Sequence, residues 1–137
     1  MNSDSIAIPK LFRLGDKRYE KEYKELSEQY SNSLLHVHFN NMVTAREHWK
    51  DIVRTIDNYA LENDVDIEGL KIWAHIFFSE DGEIDYFGYY LKPNSEIKDQ
   101  KMLEDLIATS LNQYKYDGQL RGKGNHYSGM GFPIFRR

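Results

Sequence analysis

Five histidines and no cysteine bound the chemistry open to this 137-residue chain. Without Cys there is no disulfide, no thiolate zinc ligand and no thiol nucleophile. His36 and His38 are two residues apart, so on a strand they share one face. Two imidazoles on one face can hold zinc or nickel. His48, or Glu47 beside it, would add a third ligand if the next helix folds back. On a helix His36 and His38 diverge and the site fails. The plainer reading is a pair of partly exposed histidines without metal, because no Cys or acidic partner stands at a fixed spacing. His75 lies in an apolar run and fits a hydrogen-bonded sheet residue. His126, followed by Tyr127, comes after a glycine-rich stretch and fits a strand start or a ligand contact.

Other candidate constellations are weaker. Glu80, Asp81, Glu83 and Asp85 crowd one turn, where carboxylates spread into water instead of converging across a cleft. The spacing needed for a calcium loop is absent. The glycines from Gly118 to Gly131 lack the Lys-Ser/Thr ending of a phosphate loop. No Ser sits in a nucleophile-elbow pattern. The sequence therefore points away from catalysis and calls for no cofactor.

The ten tyrosines are the stronger hint. Tyr86, Tyr89 and Tyr90, with Phe87 between them, give one strand a dense aromatic surface. Tyr offers large contact area at low entropy cost, which suits an interface. The alternative is burial of both faces under helices. A ligand pocket between helices and sheet, using Trp49, Trp73 and tyrosines, is a further possibility that a filled core would mimic.

The formal charge is −4 and the pI about 5.7. Such a chain lacks the basic footprint of a nucleic-acid binder. Its closest approach is Arg121, Lys123, Arg136 and Arg137, which fits a solvated edge. No apolar run is long enough to span a membrane. The first residues lack the plan of a signal peptide. The expectation is a cytoplasmic protein, or a periplasmic one if an export segment has been removed.

The elements follow from periodicity. Residues 1–15 form an arm without a clear period. A helix over about Lys17–Tyr30, capped by Asp16, carries the stripe Tyr19, Tyr23, Leu26 and Tyr30. Leu34–Phe39 fits either a short strand or the start of the next helix. Met42–Glu62 is strongly amphipathic, with Asn41 or the Thr44/Glu47 pair as cap. Two strands, Leu70–Ser79 and Ile84–Leu91, flank an Asp81-Gly82 turn. A helix follows, capped by Ser95, with Met102, Leu103, Leu106, Ile107, Ser110, Leu111 and Tyr114 on its apolar face. A strand over His126–Phe135 closes the chain, and Pro133 places it at an edge or near its end.

From residue 67 onward this order resembles the C-terminal domain of the TonB family. The pieces are Phe77-Phe78-Ser79-Glu80-Asp81-Gly82-Glu83-Ile84, Met102-Leu103-Glu104-Asp105-Leu106, Tyr114-Lys115-Tyr116 and Phe132-Pro133-Ile134-Phe135. The resemblance covers about half the chain and implies a hairpin–helix–strand fold that binds partners through a strand edge. It supplies no catalytic residues. The first half is unlike that family, and neither its membrane helix nor its Pro-rich spacer is present.

The expectation is one α+β domain, with N-terminal helices on one face of an antiparallel sheet of about three strands. Residues 1–15 are an arm, 16–66 a helical part and 67–137 the hairpin–helix–strand part. The expected function is non-catalytic protein binding, to a partner or a second copy. It would act through the Tyr-rich face (Tyr86, Tyr89, Tyr90) or through a strand edge at His126, Tyr127, Ser128 and Met130. The alternative is metal binding, or a metal-dependent enzyme, through His36, His38 and His48.

Overall fold

A computed structural model describes residues 8–132. Pro133, Ile134, Phe135, Arg136 and Arg137 lie outside the described residues, so of the Phe-Pro-Ile-Phe ending only Phe132 is described, and of the arm only residues 8–15.

The elements in chain order are β1 (Leu11–Arg13), a 3-10 turn (Lys17–Tyr19), α1 (Glu20–Gln29), β2 (Asn32–Ser33), α2 (Leu34–Val37) and α3 (Met42–Glu62). They continue with β3 (Lys71–Phe78), β4 (Ile84–Leu91), α4 (Gln100–Gln113) and β5 (Gly124–Gly131). The α+β class is as expected, but the sheet has five strands, in the order β1-β4-β3-β5-β2. The two additional strands come from the first half. β1 runs parallel to β4, and β2 runs parallel to β5. The sheet is therefore mixed, not antiparallel throughout.

Local chemistry explains the boundaries. Asp16 caps the 3-10 turn through the Arg18 N–H, and Asn41 caps α3 through the Val43 and Thr44 N–H groups. The α4 cap is Asp99, which accepts from the Met102 N–H. Ser95 instead sits buried in the preceding loop, where its hydroxyl accepts from the Lys71 N–H and donates to the Ile97 carbonyl. The ambiguous segment splits: Ser33 caps the single turn of α2, and His38 ends it.

The β3–β4 turn needs glycine twice over. Gly82 has φ +83°, and a Cβ there would lie 2.1 Å from the Tyr116 ring. A bulge between Phe77 and Phe78 then shifts the register, pairing Phe78 with Ile84. Ile84 thus joins Phe78 in the main core instead of sharing a face with Tyr86.

Helices cover both faces of the sheet, which corrects the one-sided expectation. On the first face, α3 and α4 bury Ile72, Ala74, Ile76, Phe87 and Tyr89 against Ile52, Ile56, Leu103 and Ile107. On the second, α1 closes a smaller core of Phe12, Leu26, Tyr30 and Phe77, with Tyr23 and Tyr86 at its margin. Gly88 admits this arrangement, because a Cβ there would lie 2.7 Å from Leu14 and 2.8 Å from Phe12. No described helix is long and apolar enough to cross a membrane.

Candidate functional site

The register sorts the tyrosines. Directly paired residues share a face, so the pairs Phe77–Tyr86 and Trp73–Tyr90 point to the α1 side, as does His75–Tyr127. Tyr86 packs edge-on to Tyr30 under α1. Tyr89 points the opposite way, is buried in the main core, and its hydroxyl donates to Glu104 of α4. That burial and bond push the Tyr89 phenol upward. α1 stops short of one end of its face. There Trp73, Tyr90 and Tyr127 are 37%, 43% and 51% exposed. The Trp73 and Tyr127 rings stack at 5.6 Å, and the Lys92 Nζ lies 4.0 Å from the Trp73 ring centroid.

Trp49 and Trp73 stand on opposite faces, so they cannot line one pocket. Trp49, on α3, packs edge-on to His126 at 4.7 Å. It also lines a trough of about 400 Å³ between α3 and β5, with Val53, Arg54 and the backbone of Gly129 to Gly131. Glu47 at the rim pairs with Lys50 and Arg54.

The outer side of β5 is open over most of its length. β2 pairs only with Gly124 and Asn125, and among the described residues no strand pairs outside His126 to Gly131. Closely spaced hydrogen-bonded pairs alternate in an antiparallel ladder. The Phe132 N–H donates to the Leu70 carbonyl at 2.9 Å, which sets the even-numbered residues of β5 toward β3. The backbone groups of Tyr127, Gly129 and Gly131 therefore face outward. Those of His126, Ser128 and Met130 serve the sheet interior, and the Met130 side chain is buried.

Of the three candidate metal ligands, two meet. His38 Nε2 and His48 Nδ1 are 2.8 Å apart. His36 lies within α2, where its backbone carbonyl accepts from the His38 N–H. Burial lowers both paired rings, His48 to about 3, with His38 and His126 adding repulsion. Tyr116 stacks on His48 at 4.1 Å. The far nitrogen, His48 Nε2, is buried with no hydrogen-bond partner, as is the Tyr114 hydroxyl. Among the described residues no group of three or more His, Asp or Glu is placed to hold a metal.

A second polar chain was not foreseen. The Asn125 Nδ2 donates to the Tyr30 carbonyl, leaving its Oδ1 to accept from His75 Nε2 at 2.8 Å. His75 Nδ1 then accepts from the Tyr23 hydroxyl at 2.7 Å. Both nitrogens are satisfied with the ring neutral, and burial holds its pKa down. This chain ties α1 to β3 and β5. Its members are far apart in sequence with no shared motif, so spacing carries no signal of it.

No family model, curated protein or solved structure matches this chain.

Proposed function

We propose that this protein is a non-catalytic interaction module that accepts an extended strand along the outer side of β5. One observation carries the reading: the open backbone of Tyr127, Gly129 and Gly131 runs along the outer side of β5, where Gly129 and Gly131 line the trough against α3. An added strand would satisfy those N–H and C=O groups, and its alternate side chains would enter the trough against Trp49 and Val53. The occupant is a segment of a partner protein or a second copy of the chain. The motif order shared with TonB C-terminal domains points the same way.

Gly131→Pro tests it. The Gly131 N–H faces outward, and a Cβ there meets nothing within 4 Å. Edge positions of this kind tolerate Pro. Wild-type protein should form a dimer or hold a partner, with hydrogen-exchange protection at Tyr127, Gly129 and Gly131. Gly131→Pro should lose both. A strict monomer that captures nothing, or a complex that survives Gly131→Pro, would reject the reading.

A further inference from the structure

The surface beyond the end of α1 lies on the opposite side of the sheet from the α3 trough. It combines Trp73, Tyr90 and Tyr127 with an open cleft of about 630 Å³ lined by Arg13, Leu14, Gly15, Asp16, Tyr90 and Tyr127. We propose that this face binds a proline-rich segment in the polyproline II conformation, independently of strand addition at β5.

Three features favour that occupant. The first is the aromatic floor, spread over the three adjacent strands β4, β3 and β5. Proline rings are rigid and apolar, and proline-rich segments dock on aromatic-lined grooves at small entropy cost because their helix is already formed.

The second is hydrogen-bonding character. Arg13, Lys92 and the Trp73 indole can only donate, and the tyrosine hydroxyls can do so. Among the described residues the single carboxylate lining the cleft, Asp16, is already held by Arg18 at 2.8 Å. A proline-rich backbone is the complement, since its carbonyls accept and its prolines carry no N–H. A saccharide presents donors and acceptors together, and the Asp16 carboxylate is occupied.

The third is the preset geometry of the aromatics. A Cβ at Gly129 would lie 2.8 Å from the Lys92 Nζ and 3.3 Å from the Trp73 ring. Glycine at that position lets Lys92 lie along one side of Trp73 while Tyr127 stacks with the ring. Cation–π contact and stacking hold the indole in place before any ligand arrives.

The experiment is a titration of the full chain with fluorescein-labelled decaproline, read by anisotropy. An Ala/Ser decapeptide, an oligodeoxythymidine and cello- and malto-oligosaccharides serve as comparison probes. Decaproline should bind saturably and in preference to all of them. Tyr127→Ala and Tyr90→Ala should each weaken binding by about tenfold or more, roughly 1.4 kcal/mol, with both variants still unfolding cooperatively. Gly131→Pro should leave decaproline binding unchanged, which separates this site from the β5 edge. Failure to bind decaproline, wild-type affinity in either tyrosine variant, or stronger binding of the oligonucleotide or a saccharide would each overturn the proposal.

Discussion

His38 Nε2 and His48 Nδ1 share one hydrogen bond of 2.8 Å inside the core, in a space closed by Tyr116 and Phe78. Only one proton can lie between the two nitrogens, so both rings cannot be charged at once, and burial favours the neutral form of each. In the unfolded chain both imidazoles titrate near their ordinary value of 6.5. Below that pH the unfolded chain takes up protons that the folded pair refuses, until His48 yields at about 3.

Stability is therefore complete above about pH 6.5 and falls as the pH drops. The slope is up to about 1.4 kcal/mol per pH unit for each ring kept neutral. Urea midpoints measured between pH 7.5 and 4.5 should show the decline. His48→Phe should make it shallower, whatever its effect at neutral pH, leaving the share carried by the buried His75 and His126 rings. A slope that the substitution leaves intact would move the acid sensitivity elsewhere, to His75 or His126.

Gly82→Ala should destabilise by two separable routes. The positive φ costs about 1 kcal/mol for any Cβ, and collision with the Tyr116 ring adds about 1–3 kcal/mol of overpacking. In a Tyr116→Ala background only the first cost should remain. Chemical denaturation of the four proteins in this cycle measures the coupling. Additive losses would show that Tyr116 does not constrain the turn.

Leu26→Ala should cost about 2–5 kcal/mol, as for other fully buried leucines. The loss falls on the small core under α1, so hydrogen exchange should rise first in Glu20–Gln29 and at Tyr86. The main core, with Ile72 and Leu103, should retain protection until global unfolding. Uniform loss of protection would mean that the two cores melt as one unit.

The hairpin and the two long helices were legible because each carries its own period. Met42–Glu62 shows a helical stripe, and Asp81-Gly82 punctuates two apolar runs. β1 and β2 were not legible. They are three and two residues long and pair in parallel with strands more than seventy residues away, so no local pattern marks them. The α1 stripe was visible in Tyr19, Tyr23, Leu26 and Tyr30, but a stripe does not name the surface it covers. That is why the second helical layer was missed.

The candidate sites divide the same way. Tyr90 and Tyr127 lie on the open face, whereas Tyr89, two positions from Phe87, is turned into the main core by strand alternation. The residues expected at the edge, His126, Tyr127, Ser128 and Met130, all lie on β5. Which of its residues offer backbone outward depends on the register with β3, and a one-residue shift exchanges them. The meeting of His38 with His48 depends on how α2 leads into α3, which is a tertiary fact.

The parallel attachment of β1 and β2 to opposite sides of the sheet has a consequence for assembly. Both segments leave the ribosome before the strands they rest on. Until β5 exists, β2 has no partner and α1 has only part of its floor. Contacts of such large sequence separation slow folding, so the segments before α3 cannot finish docking until β5 has been made. A stop codon placed before Gly124 would leave those segments without their final docking strand.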